Sequence, residues 1–357
     1  TVQNLTQGTT YSSIQDAIDA ANSGETIEAG PRTYPESLTI DKSLTLTSSD
    51  GAATTTIVGD ANIAVTIDAD DVTVNGFTVT NPSNDFGFYS QDDNGVTITN
   101  NIITDIGPSD ATSSSSNSGI AVVSSAAAVD GVTITGNTIH KIDGGEYTSA
   151  NGIALGWSTG DHDITNAVIE DNTIYDIDSN ISAWPVGRGA YGVIINHART
   201  SHAGQTVGVI VRNNTIDDLE GLWVHGIGLE GDTPDALVQG NVLSNFTDHK
   251  VENDAVGVFF EDNGFVSSTL VTHNSFTNMA YGVASVVAGA IDAPLNWYGS
   301  ADPATVAAQI GAVPGAEIDF SPWLSSGIDA DAGTAGFQGD LSDLWVGPGG
   351  SIQEAID

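Results

Sequence analysis

One segment of about a dozen residues recurs along the chain and constrains the fold more than any other feature. It reads apolar, any residue, apolar, then a turn centred on Asn, then apolar again. Six copies lie at 95–106, 131–142, 166–177, 208–219, 235–246 and 268–279, with a weaker first copy at 71–82. Successive Asn residues are 36, 35, 42, 27 and 33 positions apart: Asn101, Asn137, Asn172, Asn214, Asn241 and Asn274. This irregular spacing indicates stacked coils with loops of different lengths.

Each copy alternates apolar and polar residues with period 2, which predicts strand and not helix. A second, glycine-led strand recurs upstream of the Asn segments, at 87–91, 119–123, 152–156, 192–196, 226–230, 257–261 and 282–286. In it Ile153 and Leu155 are expected to point inward and the residues between them outward. Parallel stacking of such strands at about 4.8 Å predicts a solenoid.

The recurring Asn residues are interpreted as structural corners and not as ligands. Asn tolerates the left-handed backbone conformation that a sharp corner needs. Its side-chain amide can pair with the backbone or with the Asn of the next coil. Coils stacked in register therefore predict a ladder of Asn amides.

The open end of the solenoid needs a cap that prevents edge-to-edge strand addition. An amphipathic helix is predicted to start at Ser13, with Ile14, Ala17, Ile18 and Ala21 on one face. Ser13 and Asp16 have the spacing of a capping box. We expect this helix to lie over the first coil.

Three parts of the chain carry a family resemblance: the opening SSIQDAIDAANSGETIEAGPRTYPESLTI, the Asn-cornered repeats, and the closing NWYGSADPATVAAQI and IDFSPWL. They resemble the right-handed parallel β-helix repeat proteins, which include pectate-lyase-like enzymes and many bacterial and archaeal surface proteins. The resemblance covers roughly residues 3 to 325. It implies an all-β, right-handed parallel β-helix with an N-terminal capping helix. For function it implies less, because this fold carries lyases, epimerases, glycosidases, tailspikes and non-catalytic modules.

The composition changes after the last repeat. We expect a β-helix domain over 1–325, a Ser-, Gly- and Asp-rich linker over 326–343, and the start of a second β-helix unit over 344–357. Residues 351–357 match residues 13–19 except for Glu in place of Asp. Tandem units in a longer natural protein are therefore expected.

The charge balance excludes some partners. The chain contains seven Lys and Arg but 46 Asp and Glu, which gives a formal net charge of -39. This charge repels nucleic acids and anionic membranes. The longest uncharged apolar stretch, 281–291, is shorter than the roughly 18 residues that span a bilayer. The acidic residues have two interpretations. The favoured one is a solvated shell suited to salty water; the other is a set of oxygen ligands for Ca²⁺, which would then be a cofactor. With no cysteine, and given the resemblance, an extracellular or cell-surface location is expected.

Candidate functional residues lie on one outward column and the loops beside it. The column runs Gln91, Val123, Gly156, Asn196, Glu230 and Glu261. Glu230 and Glu261 fall on neighbouring coils, so their backbones are expected about one strand spacing apart. Two carboxylates about 5 Å apart can act as nucleophile and general acid, as in retaining glycosidases, or can share a Ca²⁺. The alternative is two solvated acids on an acidic chain.

Aromatic and basic side chains flank this column. Exposed rings in a row suit stacking on sugars, whereas Trp also serves as a lid over apolar core. His225 is a candidate partner of the carboxylates across adjacent coils, or a structural histidine. The predicted catalytic residues are Glu230, Glu261 and His225; the predicted substrate-binding residues are Trp157, Trp184, Tyr191, Asn196, His197, Arg199 and Trp223.

Two functions are compatible with these residues. The first is a β-helix module of a large secreted or cell-surface protein, acting in adhesion or in binding a polysaccharide or glycan. The second is a polysaccharide lyase or glycosidase with its site on the outer face. The scarcity of Lys and Arg disfavours a lyase that acts on acidic polymers, since the substrate would meet a negative surface.

Overall fold

The chain winds into a right-handed parallel β-helix with three long sheets. The computed structural model describes residues 1–108, 116–145, 148–156, 162–179, 189–197, 204–249, 255–261, 268–347, 350, 352–353 and 355. Each coil places one strand in each sheet, and the sheets contain 13, 9 and 10 strands in the described part of the chain. We call them sheets A, B and C. This architecture confirms the predicted fold class.

The elements are numbered in chain order. Sheet A contains β1 (Val2–Asn4), β2 (Thr9–Tyr11), β3 (Glu25–Ala29), β6 (Leu44–Ser48), β9 (Thr73–Asn75), β12 (Thr97–Thr99), β16 (Thr133–Thr135), β20 (Val168–Glu170), β24 (Ile210–Arg212), β27 (Leu237–Gln239), β30 (Leu270–Thr272), β33 (Gly289–Asp292) and β35 (Ala316–Asp319). Sheet B contains β4 (Thr33–Pro35), β7 (Thr56–Val58), β10 (Thr78–Pro82), β13 (Ile102–Gly107), β17 (Thr138–Asp143), β21 (Thr173–Asp178), β25 (Thr215–Gly221), β28 (Val242–Asp248) and β31 (Ser275–Thr277). Sheet C contains β5 (Leu38–Ile40), β8 (Ile63–Ile67), β11 (Phe86–Gln91), β14 (Asn117–Val123), β18 (Ala150–Leu155), β22 (Gly189–His197), β26 (Trp223–Gly231), β29 (Ala255–Glu261), β32 (Tyr281–Ser285) and β34 (Ile310–Ala312).

The remaining elements are small. A three-stranded sheet is formed by β15 (Val129–Asp130), β19 (Ile164–Thr165) and β23 (Thr206–Val207), and a two-stranded one by β36 (Trp323–Leu324) and β37 (Leu344–Trp345). The helices are α1 (Ile14–Ala20) and α2 (Pro303–Ala308). In the described residues, neither helix has the length and apolar character needed to cross a bilayer.

The core consists of columns of like residues stacked coil on coil. In sheet A, Ile98 of β12 pairs in register with Ile134 of β16, which pairs with Ile169 of β20. All three are buried. Their Thr and Glu neighbours on each strand face outward and are half-buried. The period-2 alternation of the repeats therefore sets the register, because a one-residue slip would expose the whole column.

The Asn ladder forms as predicted and continues one coil further, to Asn296. Asn137 Nδ2 donates to Asn172 Oδ1 at 3.0 Å and to the Ile98 carbonyl at 2.9 Å. The Asn137 backbone N–H also donates to Asn172 Oδ1, at 3.0 Å. At the far end, Asn274 donates to Asn296 Oδ1 in the same way.

The left-handed residue of each corner is not the ladder Asn but the residue before it, which corrects the expected geometry. Positive φ values of 52° to 66° occur at Asn100, Gly136, Asp171, Asn213, Gly240 and His273. The preceding residue adopts the left-handed conformation that forms the corner, so the ladder Asn can point its side chain into the stack and hydrogen-bond there.

A glycine recurs in the sheet C strands from β11 to β29, where the close approach of neighbouring strands requires it. A Cβ on Gly192 would lie 2.6 Å from the Gly226 carbonyl oxygen of the next coil and 2.6 Å from Ile216 Cγ2. The same clash recurs from Gly87 to Gly257. The sheet B and sheet C strands of a coil approach each other closely at this column.

Helix α1 caps the first coil and buries Ile14, Ala17 and Ile18, as predicted. Ser13 Oγ accepts from the Asp16 N–H at 3.1 Å. The Asp16 carboxylate accepts from the Ser12 hydroxyl, and Glu36 accepts from the N–H groups of Ile14 and Gln15. A side chain from the loop between β4 and β5 of the first coil thus completes the cap.

The segment after the last coil folds back onto the β-helix. Phe337 is buried, and its N–H donates to the Gly240 carbonyl at 2.6 Å. Strand β37 pairs antiparallel with β36, which holds the buried Trp323. Part of the predicted linker and the first residues predicted for a second unit therefore contact the first unit; the division into domains itself stays a prediction.

Candidate functional site

The outer face of sheet C holds five of the predicted site residues: Tyr191, Asn196, His225, Glu230 and Glu261. On β26, Val224, Ile227 and Leu229 belong to the core. Gly226 also faces inward, because its Cβ position would contact Leu243. His225, Gly228 and Glu230 therefore point outward. The register aligns an acid row through Glu230 across neighbouring strands. It also pairs Tyr191 with His225, whereas Phe259 pairs with Gly228 and joins an aromatic row through the contact of its ring with His225.

The acid row consists of Asn196, Glu230 and Glu261, which are direct register partners on β22, β26 and β29. Their backbones are about 4.8 Å apart, the strand spacing of a sheet. Glu230 is 0% exposed although it lies on the outer face, whereas Glu261 is half-buried. Two neighbouring carboxyl groups thus occupy different environments, which is the condition for dividing acid and nucleophile roles.

The aromatic row contains Tyr191, His225 and Phe259. The rings of Tyr191 and His225 meet edge to face, with centroids 5.2 Å apart. His225 and Phe259 are tilted by 38°, with centroids 4.2 Å apart. His225 itself is 3% exposed. The sequence interpretation missed Phe259, although the adjacent Phe259 and Phe260 break the alternation and mark an apolar residue on the outer face.

The structure separates His225 from the acid row. His225 precedes Glu230 by five residues on β26, and an extended strand of that length spans about 16 Å. An imidazole at that distance is out of hydrogen-bonding reach of the Glu230 and Glu261 carboxylates. His225 therefore contacts the rings of Tyr191 and Phe259 and does not pair with either of these two carboxylates.

The other predicted residues are only partly described. Trp223 is half-buried at the start of β26 and pairs in register with Gly189. His197 ends β22, where its backbone pairs with Gly231. Trp157, Trp184 and Arg199 lie outside the described residues.

Asp92, one of the acids available as an oxygen ligand for Ca²⁺, hydrogen-bonds to the chain itself. Asp92 accepts the backbone N–H groups of Ser125, Ala126 and Ala127. Burial alone would raise the pKa of Asp92, but these bonds outweigh it and lower the pKa. In the part of the chain that the structure describes, no three His, Asp or Glu side chains are arranged to hold a metal ion.

A second cluster of acids lines a groove of about 510 Å³ on the outer side of sheet B. Its walls include Asp105, Lys141, Asp143, Asp176 and Asp178. Partial burial, and then the charges of Glu220, Asp143 and Asp176, raise the pKa of Asp178 to about 6. The sequence interpretation overlooked this cluster, but the repeats signal it: an acid follows the inward Ile or Leu in three successive coils, at Asp143, Asp178 and Glu220.

Comparison with known proteins places the fold in a family. Residues 113–295, which are 183 of 357, match the family model described as right handed beta helix region. The chain belongs to the right-handed β-helix family. A cell surface glycoprotein of Methanothermus fervidus is 38% identical over 104 residues, which are 29% of this chain and 17% of that protein.

Solved β-helix structures share the architecture. An alginate lyase from Paenibacillus sp. str. FPU-7 superposes with a TM-score of 0.57 at 15% identity, covering 88% of this chain and 96% of its own. The lacto-N-biosidase from Eubacterium ramulus superposes with a TM-score of 0.56 at 14% identity, and the match covers 89% of this chain and 66% of that protein. Pectate lyase Pel9A superposes with a TM-score of 0.51 at 12% identity, and the match covers 92% of this chain and 77% of that protein. At these identities the similarity concerns the fold alone.

Proposed function

We propose that this β-helix is a module of an extracellular or cell-surface protein and that it binds a polysaccharide along the outer face of sheet C. The observation that carries the proposal is the pair of rows on that face. Tyr191, His225 and Phe259 form one row, and Asn196, Glu230 and Glu261 form the other. Further β-helix units in tandem, in keeping with the restart at residue 351, would lengthen the surface.

The chemistry of the two rows suits a sugar chain. Aromatic rings pack against the apolar faces of sugars, and amide and carboxylate groups hydrogen-bond to their hydroxyls. A parallel sheet repeats these groups at about the strand spacing. The net charge of -39 favours a neutral polymer over an anionic one.

The comparisons support this setting. The relative from Methanothermus fervidus is named a cell surface glycoprotein, although the match spans 17% of its length. The superposed structures are named as alginate lyase, pectate lyase and lacto-N-biosidase. These names favour a carbohydrate partner at the cell surface and leave adhesion and catalysis as alternatives.

Binding to a polysaccharide array, followed by titration of any hit, tests the proposal. Replacing both Tyr191 and Phe259 by Ala should weaken binding about tenfold, because two ring contacts of about 1 kcal/mol each are lost in part. Tyr175→Ala is a matched control, since Tyr175 stacks on His140 on sheet B with centroids 4.8 Å apart. An equal loss in the control, or no binding to the array, would count against this surface.

The burial of Glu230 beside Glu261 favours a second candidate, a glycosidase that uses the two acids. Their strand spacing matches the separation of about 5 Å in retaining enzymes. Glu230→Gln and Glu261→Gln should each abolish turnover of a neutral polysaccharide while binding is kept. Glu170→Gln, which removes an ion pair with Arg212 on sheet A, should leave turnover intact. Full turnover in both site variants would reject this candidate.

A further inference from the structure

The chain carries Asn-x-Ser/Thr triplets, the acceptor motif of N-linked glycosylation. Three lie in the described residues, starting at Asn4, Asn213 and Asn245, and each ends in Thr. A fourth, starting at Asn180, lies outside the described residues. The three described motifs have different surroundings, so the structure discriminates between them.

Asn4 is closed to modification in the folded protein. Its side chain is 0% exposed, and Nδ2 donates to the Glu25 carboxylate at 2.6 Å. Its Oδ1 accepts the backbone N–H groups of Thr6 and Gln7, both at 3.0 Å. A sugar on Nδ2 would have to open this buried network.

Asn213 is covered by the returning C-terminal segment. The backbone at Gly336 passes so close to Asn213 that no Cβ fits between them. The neighbouring Phe337 is buried, and its N–H is bonded to the Gly240 carbonyl. A sugar on Asn213 would therefore displace packed chain.

Asn245 is open. It is exposed and takes a left-handed bend with φ of 60° on the outer side of β28. The motif's Thr247 is also exposed, and Phe246 between them is buried as an anchor. Asn245 Nδ2 donates to Asp217 Oδ1 at 2.7 Å. That bond uses one of the two amide hydrogens, so a sugar can replace the other while the bond is kept.

We propose that Asn245 is an N-glycosylation site of this protein, an inference that rests on the proposed extracellular location. A separate transferase supplies the saccharide on a lipid phosphate or pyrophosphate. Nδ2 attacks the anomeric carbon, so that a C–N bond forms and the C–O bond to phosphate breaks. The phosphate leaves with the electron pair, and the amide proton passes to a base of the transferase.

Glycopeptide mass spectrometry of the full chain, secreted from a host that attaches N-linked glycans, tests the site. The peptide containing Asn245 should carry a saccharide, and those containing Asn4 and Asn213 should not. Thr247→Ala should abolish the modification, whereas Thr247→Ser should retain it. Circular dichroism of each variant checks folding, and Thr247→Ser keeps the test valid if Thr247→Ala fails to fold.

The next coil provides a matched control. Asn278 is exposed with φ of 56° and donates to Asn245 Oδ1, but Met279 and Ala280 follow it, so it is not an acceptor. Asn278→Gln should leave the Asn245 glycan in place, and Ala280→Thr should create a second occupied site. An empty Asn245 in a host that modifies a reporter motif, or a glycan on Asn4 instead, would overturn the proposal. Because the readout is mass, it is independent of whether the sheet C face binds polysaccharide.

Discussion

At the scale of single residues, the Asn ladder stabilises the stack because each amide serves two coils. Asn172 illustrates this: Nδ2 donates to the Ile134 carbonyl at 2.9 Å and to Asn214 Oδ1 at 3.0 Å, while Oδ1 accepts two N–H groups of Asn137. All these groups are buried, so water cannot replace a lost partner. Removing one amide therefore leaves several polar groups unsatisfied.

We predict that Asn172→Ala lowers the free energy of unfolding by about 3 kcal/mol, since an unsatisfied buried group costs about 1 to 3 kcal/mol. Denaturant melts of the purified chain measure this. Asn100→Gly is the control: Asn100 is exposed, and its φ of 52° suits glycine, so the change should stay within about 0.5 kcal/mol. Equal effects of the two substitutions would show that the ladder contributes little.

Asp178 should make stability fall as pH rises. Partial burial and the facing acids hold its pKa at about 6 in the folded chain, against an ordinary value near 4 when unfolded. The folded state therefore binds more protons between pH 4 and 6, and this contribution is lost as pH rises through that window. Because Asp178 is only partly buried and still contacts solvent, screening limits the loss to about 1 kcal/mol or less.

Asp178→Asn should accordingly raise the melting temperature at pH 7 and change it little at pH 4. Asp302→Asn is a control of opposite sign. Hydrogen bonds from Thr305 at the start of α2 lower the pKa of Asp302, so its loss should destabilise the chain at pH 7. A melting temperature of Asp178→Asn below that of the parent chain at pH 7 would contradict the assignment.

At the scale of elements, the sheet C strands depend on the glycine column. Each strand keeps two successive residues inward at the glycine, such as Gly226 and Ile227, so that the side-chain alternation shifts by one. His225 and Glu230 consequently share the outer face although they are five positions apart. Strict alternation would have placed them on opposite faces.

We predict that Gly192→Ala destabilises the chain by about 2 kcal/mol, because the new methyl group would overlap the Gly226 carbonyl oxygen and Ile216. Gly208→Ala is the matched control. Its φ is 65° and nothing lies within 4 Å of its Cβ position, so it should cost about 1 kcal/mol from backbone strain alone. The comparison uses the unfolding midpoints of both variants. A smaller loss for Gly192→Ala than for Gly208→Ala would mean that the coils have room at this column.

The difference between features that repeat locally and features that depend on packing between coils determines how much of this fold the sequence predicts. Strand alternation and the recurring Asn residues gave the coils, their register and the ladder, because these features repeat locally. The residues paired across coils, such as Glu230 with Glu261, followed from the same repeats. The shared face of Tyr191, His225 and Phe259 did not, because it depends on where each glycine shifts the alternation. The acidic groove could not be predicted either, because its acids come from three coils and lie together only when those coils are stacked in register.

At the scale of the whole molecule, the net charge of -39 acts through the stacking of coils. A parallel solenoid places equivalent positions about 4.8 Å apart, so one acidic position in the repeat becomes a column of like charges. Asp143, Asp178 and Glu220 are such a column. The folded chain must therefore withstand repulsion that the unfolded chain relieves by expanding.

Salt should relieve this repulsion without binding at any one site. The Debye length falls from about 10 Å at 0.1 M to about 3 Å at 1 M, which is shorter than the spacing between coils. We predict that the melting temperature rises by roughly 5 °C or more between 0.1 and 1 M KCl. NaCl should act equally, and CaCl₂ at matched ionic strength should add little. A chain that is indifferent to KCl but stabilised by millimolar Ca²⁺ would instead assign the acids to specific cation binding.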